Sequence, residues 1–341
     1  MREEDYRETA SDDSGKADAA DPAPGGVSHG GGGPGEQAAA TNPFAAVRAR
    51  TLILWMLLVY PGLVLVTILG GHLTGADMES QAFQFLGDYA ALSIAMVTWV
   101  LWAARRNSVR IRRLVGRVPA GYNWLSALGI LLVAMAFSLG SAGVIEYVVS
   151  LFAPGHIEWV EGIKMVPDAE SGLLYTGIWC LAVVAIAPTV EETLFRSMLI
   201  NRWGTKWRLS TAVIASSLFF GVIHLTFFVG PAMLGMVLAV MYIRSRSLIV
   251  PVVVHAANNF IAVALGFWVE AGTELEDQAA EGPAEPLTGV AMMAVTLPIL
   301  IWYLRRHWPA PDAAIPYMAE VAAGPPDPEV LRRGDEPGGL G

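Results

Sequence analysis

Long runs of apolar residues, separated by short polar loops, fill the chain between residues 51 and 304. Most of these runs reach about 20 residues, the length that an α-helix needs to cross the hydrocarbon core of a bilayer. The pattern predicts eight transmembrane helices, near residues 51–70, 87–104, 123–152, 173–195, 209–228, 231–243, 247–268 and 287–304. The fold class that follows is an all-α, polytopic membrane protein.

The two ends of the chain lack this pattern. Residues 1–45 hold almost no large apolar side chains, and residues 309–341 are rich in proline, glycine and acidic residues. Such segments bury too little apolar surface to offset the entropy cost of ordering them. The sequence therefore predicts a disordered N-terminal tail (1–45), a transmembrane domain (46–308) and a disordered C-terminal tail (309–341).

Arginine and lysine alternate between the loops in a way that predicts a topology. Every second loop carries the cations, in segments 48–50, 105–117, 202–208, 244–246 and 305–306. The loops between them hold only Lys164. Because cationic residues collect on the cytoplasmic side of the membrane, both termini are predicted to be cytoplasmic. The 19 arginines against 3 lysines are typical of a GC-rich bacterial genome, so the expected location is a bacterial plasma membrane.

Composition agrees with a membrane protein and narrows its chemistry. Of the 341 residues, 54% are hydrophobic and 16% are charged, whereas a soluble domain carries about 25% charged residues. The net charge of −9 lies mostly in tails and loops, so it does not indicate an acidic or a basic partner. For a membrane protein of this kind we expect contact with the lipid bilayer and no nucleic-acid partner. The single cysteine, Cys180, excludes an intramolecular disulfide and a cysteine-rich metal site.

Three polar clusters interrupt the apolar runs, where an ionisable group costs about 2.5–3.5 kcal/mol on insertion scales. They are Glu191-Glu192-x-x-x-Arg196 at the end of the fourth predicted helix, Phe220-x-x-x-His224 in the fifth and His255-x-x-x-Asn259 in the seventh. Residues four apart share a helix face, so the spacing predicts an ion pair between Glu192 and Arg196. Glu191 points about 100° away from that pair, so the ion pair gives no structural reason for a second carboxylate in the apolar run.

A carboxylate, two imidazoles and a carboxamide are together sufficient for hydrolysis. A buried glutamate can act as general base on water with help from a histidine, while a second histidine and an asparagine stabilise an oxyanion. Cys180 and Ser197 have no base three or four residues away, so neither is a better nucleophile. A glutamate and two histidines could instead bind zinc, although the usual His-Glu-x-x-His motif is missing.

The three clusters, in this order, resemble the CPBP family, which comprises CAAX prenyl endopeptidases and bacteriocin-processing (Abi) proteins. The resemblance covers about residues 172–268. It implies a bundle of eight transmembrane helices with a conical active-site cavity that faces the cytoplasm. It also implies a glutamate-dependent intramembrane endopeptidase without a metal cofactor, which cuts a hydrophobic or membrane-anchored protein or peptide.

Carried over to this sequence, the resemblance implies four catalytic residues. Glu191 and His224 would activate the water, and His255 and Asn259 would hold the oxyanion. The orienting or structural residues would be Glu192, Arg196 and Phe220.

Three other functions fit the same residues. The first is a non-catalytic scaffold or immunity protein that keeps the fold, and the second is a protease in which these residues bind zinc. The third is a transporter that uses the buried carboxylates as a proton relay, against which the lack of internal repeats counts.

Overall fold

The computed structural model describes residues 42–153, 155, 166–167, 171–224, 228–273 and 286–322. The regular secondary structure of these residues is helical throughout. Six helices are long and apolar enough to cross a membrane. They confirm the predicted class, a polytopic helical membrane protein.

Within the described chain, each of the eight predicted crossings corresponds to an apolar helix. The six long ones are Arg50–Thr74 (α1), Gln81–Arg106 (α2), Trp124–Phe152 (α4), Leu173–Lys206 (α5), Ile249–Thr273 (α8) and Pro286–His307 (α9). The two shorter ones are Leu209–Val222 (α6) and Val229–Ser245 (α7), with 14 and 17 residues. Two short helices outside this set are Ile111–Val115 (α3) and Pro316–Ala322 (α10).

Helix α5 differs most from the prediction. It was expected to end near residue 195, but it runs for 34 residues to Lys206, so Glu191 and Glu192 lie in its body. Two segments of α5, Ala182–Ile186 and Thr193–Ile200, are π-helical. Such wider turns are rare and occur frequently at functional sites.

Helix α6 is shorter than predicted, which changes the position of His224. The fifth predicted helix extended to residue 228, whereas α6 ends at Val222 and His224 lies in the following turn. The last carbonyls of a helix have no intrahelical donor. The His224 side chain bonds to one of them, the carbonyl of Phe220, with Nδ1 at 2.7 Å.

The inner ends of the two predicted tails, residues 42–45 and 309–322, are described and pack on the membrane domain. Phe44, in the 3₁₀ turn Pro43–Ala45, is fully buried, and so is Tyr317 at the start of α10. Their rings meet edge to face with centroids 5.2 Å apart. Aromatic side chains with a partner to pack on are ordered even within a polar segment. Residues 1–41 and 323–341, the remainder of the two tails, lie outside the described residues.

The buried side chains form two clusters that meet at α7. One cluster joins α2, α5 and α6 with α10 and Phe44, and the other joins α4, α7, α8 and α9. On α7 the four consecutive residues from Val237 to Val240 are fully buried, and one of them, Ala239, belongs to the first cluster. A helix that is hydrophobic all round is typical of the interior of a bundle.

The cationic loops meet on one side of the molecule. In the turn between α7 and α8, the backbone N–H of Leu248 donates to the carbonyl of Val115 at 2.8 Å. The hydroxyl of Tyr317 accepts from the backbone N–H of Arg110 at 3.3 Å, and the Tyr317 N–H donates to Asn201 of α5 at 3.0 Å. These contacts bring the arginine-rich segments of three loops together, as the predicted alternation requires.

Candidate active site

Glu192 joins α5 to α8 through two buried partners. Its Oε2 lies 2.9 Å from Nε of Arg196, an ion pair that is not aligned as a hydrogen bond. Its Oε1 accepts from Nδ1 of His255 at 2.9 Å. Glu192 and Arg196 are fully buried and His255 nearly so. The predicted pair between Glu192 and Arg196 is present, and the tertiary structure adds His255 to the same carboxylate.

Aromatic rings surround this ion pair. The guanidinium of Arg196 lies 4.6 Å from the ring centre of Phe220, and its Nη2 donates to the carbonyl of Gly235 at 3.5 Å. The Phe220 ring also contacts both histidines, with centroid distances of 4.6 Å to His224 and 5.7 Å to His255. Phe220 therefore packs at the centre of the three motifs, where it excludes water from the charges and supports the guanidinium by a cation–π contact.

Glu191 has a different environment from its neighbour. Its side chain is 20% exposed, and its Oε2 lies 3.9 Å from Nε2 of His255. This distance is too long for a hydrogen bond, so the interaction is electrostatic. Nδ1 of His255 donates to Glu192, and Nε2, the other ring nitrogen, faces Glu191. The adjacent carboxylates thus contact opposite ends of one imidazole.

His224 and Glu191 are not joined by a hydrogen bond or an ion pair in the described part of the chain. The His224 side chain is exposed, and its contacts are with Phe220. A carbonyl only accepts, so Nδ1 of His224 carries the proton and Nε2 is the acceptor nitrogen. His224 is therefore linked to the other motif residues by its contacts with Phe220, and not by a direct contact with Glu191.

Asn259 contacts the backbone of α5 in the first π-helical segment. Its Nδ2 donates to the carbonyl of Val183 at 2.9 Å. In this segment the backbone N–H of Ala187 donates to the carbonyl of Ala182, five residues earlier. The same spacing would pair residue 188 with the carbonyl of Val183, but residue 188 is a proline and has no N–H. Asn259 supplies the donor that Pro188 lacks.

Tyr89 of α2 is a neighbour of the site that the sequence analysis missed. Its hydroxyl donates to the carbonyl of Ala182 at 3.0 Å, and it lies within electrostatic range of Glu191. Tyr89 and Asn259 therefore hold adjacent carbonyls of the same segment from two different helices. No signal in the sequence singles it out, since a tyrosine in an apolar helix is ordinary and only the fold brings it to α5.

The side chains as placed do not fit a metal site. In the ranges that the structure describes, no group of three or more His, Cys, Asp or Glu side chains is arranged to hold a metal ion. Both oxygens of Glu192 face other protein groups, Arg196 and His255. His224 uses one ring nitrogen on a backbone carbonyl. Of the other expected donors, Glu191 and Nε2 of His255 lie 3.9 Å apart, but no described contact joins His224 to either of them.

The fold and this cluster define a polytopic helical membrane protein with a buried polar centre suited to hydrolysis. Residues 174–261 match the family described as Type II CAAX prenyl endopeptidase Rce1-like. The matched segment covers about a quarter of the chain and contains all three motifs. It confirms the resemblance to the CPBP family and supports a membrane-embedded protease of the CAAX type. No curated protein and no solved structure matches the chain.

Proposed function

We propose that the protein is an intramembrane endopeptidase that hydrolyses a peptide bond in a hydrophobic or membrane-anchored protein or peptide. The observation that carries this proposal is that the two adjacent glutamates have different partners and different exposure. Glu192 is neutralised by Arg196 and orients His255, whereas Glu191 faces the same histidine from a partly exposed position. A carboxylate beside an imidazole in a water-poor site is a typical general base.

In the proposed reaction, Glu191 takes a proton from a water molecule whose oxygen attacks the carbonyl carbon of the scissile bond. The tetrahedral intermediate carries a negative oxygen, which needs hydrogen-bond donors. His255 and Asn259 are the proposed donors. His255 donates from Nε2 as the imidazolium, because its Nδ1–H is bonded to Glu192, and the second N–H of Asn259 has no protein partner among the described residues. Breakage of the C–N bond then transfers the proton from Glu191 to the leaving amine.

His224 is the proposed second group at the attacking water. Its Nε2 is the free acceptor of the ring, and its imidazole packs on the same Phe220 ring as His255. In this role His224 orients the water while Glu191 accepts the proton. Because His224 lies in a turn rather than on a helix, a bound substrate can bring Nε2 towards Glu191 through a change of that turn alone.

We also propose that the site opens to the cytoplasm of a bacterial cell. The arginine-rich segments meet on one side of the molecule, and that side is cytoplasmic under the positive-inside rule. Glu191 lies about 16 Å along α5 from Arg202, a depth that is compatible with a cavity open to the cytoplasm.

A cleavage assay with the purified protein in lipid vesicles tests the activity. We expect a panel of hydrophobic peptides to contain substrates that the wild type cuts and Glu191→Gln does not. The matched control is Glu146→Gln, which changes another carboxylate on a spanning helix, α4, and retains cleavage. Cleavage by Glu191→Gln at the wild-type rate would rule out the proposed base.

A chelation experiment separates the glutamate mechanism from the zinc alternative. We expect cleavage to continue after treatment with a strong zinc chelator, since no step of the proposed reaction uses a metal. Loss of cleavage that added zinc restores would show that the site binds a metal in its working form and would overturn this mechanism.

A further inference from the structure

An apolar slot of about 180 Å³ lies between α2, α3 and α5, on the side of α5 away from Glu191. Its walls include Val97 and Leu101 of α2, Ile111 and Leu114 of α3, and Val190 and Thr193 of α5. The hydroxyl of Thr193 is bonded to its own helix, at 2.6 Å from the carbonyl of Thr189. The slot therefore presents almost only hydrocarbon. Apolar cavities of about 150 Å³ stay dry and bind small hydrocarbons.

A cationic depression adjoins this slot at Leu101, which lines both. Its other walls are Thr98, Trp102, Arg105 and Arg106 of α2. Arg105 lies one helical turn from Leu101, about 6 Å along the axis. Both arginines are exposed and have no ion-pair partner within the described ranges. No acidic residue occurs between positions 89 and 145, so nothing nearby in the sequence neutralises them.

We propose that the slot and the depression are one binding site for an anionic phospholipid. One acyl chain fills the slot, and the phosphate lies between Arg105 and Arg106. Along α2, Trp102 lies between Leu101 of the slot and Arg105. In the proposed complex its ring lies at the level of the lipid's glycerol backbone, in the interfacial region where tryptophans are enriched in membrane proteins. Charge complementarity selects the occupant, because an apolar slot alone accepts any lipid whereas a cationic rim favours an anionic headgroup.

The third wall of the slot connects the proposed lipid site to the polar centre. Val190 and Thr193 flank Glu191 and Glu192 in sequence and lie on the α5 face that borders the slot. A lipid chain in the slot packs directly on the turn of α5 that carries both glutamates. The binding itself does not depend on the proposed peptidase activity and is measured without it.

Native mass spectrometry of the full chain tests the headgroup. We expect phosphatidylglycerol to bind about ten-fold more tightly than phosphatidylcholine with the same acyl chains, and R105Q/R106Q to abolish that preference. The control R305Q/R306Q removes the same charge from exposed arginines at the end of α9 and keeps the preference. An equal loss in both double variants would show only general surface attraction and would overturn the site.

A second set of variants tests the slot. Val97→Trp places a large ring in it, and we expect binding of both lipids to fall about ten-fold. Leu92→Trp, at an exposed position on the same helix, leaves binding unchanged. Ile111→Trp fills the slot from α3 and replaces Val97→Trp if the latter does not elute as a folded protein. Unchanged lipid binding in the folded slot-filled variant contradicts the proposal.

Glycerol 3-phosphate distinguishes a lipid site from a site for free phosphate. It offers the same anionic group without acyl chains, so we expect it not to displace phosphatidylglycerol at millimolar concentration. Displacement would show that the arginines bind phosphate without the slot, and the site would not be a lipid site.

Discussion

At the scale of single residues, Glu192 holds Arg196 and His255 inside the protein, whereas Glu191 keeps a partly exposed carboxylate beside the same histidine. An α-helix turns about 100° per residue, so neighbouring side chains enter different surroundings. In the proposed mechanism, the carboxylate with two partners maintains the site and the other acts as the base. Substitution of each should therefore affect different properties.

We expect Glu192→Gln to destabilise the protein by about 3–5 kcal/mol, because it leaves the Arg196 guanidinium buried without a counter-ion. Glu191→Gln should change stability by about 1 kcal/mol or less, since its one contact is 3.9 Å long and partly exposed. Unfolding by SDS titration in mixed micelles measures both. Equal losses of stability would contradict the separate roles.

At the scale of elements, the π-helical turn at Ala182–Ile186 of α5 is bonded by side chains from two other helices. Pro188 removes one backbone donor, and Asn259 of α8 replaces it at the carbonyl of Val183. Tyr89 of α2 binds the preceding carbonyl, that of Ala182. Three helices are thus joined at one irregular turn, about two helical turns before Glu191.

A double-mutant cycle tests this compensation. Asn259→Leu should cost about 1–3 kcal/mol in the wild type, because the Val183 carbonyl loses its donor. In a Pro188→Ala background the new backbone N–H can satisfy that carbonyl, so the same substitution should cost about 1 kcal/mol less. SDS unfolding of the four proteins gives the coupling energy. Strictly additive effects would show that the two residues act independently.

Helices α4 and α9 approach closely at a pair of glycines. A Cβ at Gly140 would lie 2.8 Å from the carbonyl oxygen of Gly289, whereas a Cβ at Gly129 of the same helix meets nothing within 4 Å. Small residues permit such approaches between membrane helices. We expect Gly140→Ala to destabilise the protein by about 1–3 kcal/mol and Gly129→Ala to stabilise it by about 0.5–1 kcal/mol. The same unfolding assay measures both, and a stabilising Gly140→Ala would show that the helices can separate without cost.

At the scale of the whole molecule, arginine-rich segments at the ends of several helices lie together on one side of the protein. The loop with six arginines contacts both the turn after α7 and the start of α10. A membrane protein with all its arginine-rich loops on one side crosses the bilayer an even number of times between them. We therefore expect the loop after α1 to lie on the opposite side of the membrane.

Cysteine labelling tests this topology. In a Cys180→Ala background, Ala76→Cys lies in the loop after α1 and Ala120→Cys in the loop after α2, both at exposed positions. We expect a membrane-impermeant maleimide to label Ala76→Cys in intact bacterial spheroplasts and Ala120→Cys only after the membrane is opened. The reverse pattern would invert the orientation, and labelling of both in intact spheroplasts would contradict the topology.

Much of the architecture could be predicted from the pattern of apolar residues. The eight apolar runs correspond to eight helices within the described chain, because the bilayer requires both apolar side chains and internally satisfied backbone groups. Helix ends were less predictable. Helix α5 continues past its polar cluster because Arg196 is neutralised by a side chain on the same helix, and Tyr317 is ordered because Phe44 packs on it.

The sequence by itself determined the class of the protein and the three motifs, because these follow from local composition and helical spacing. Only the tertiary structure decided the contacts of those motifs. It places His255 on Glu192, puts His224 in a turn beside Phe220, and brings Tyr89 to a π-helical turn of α5. The reason is physical: a buried charge or an unpaired carbonyl must find a partner, and that partner is chosen by helix packing rather than by position along the chain.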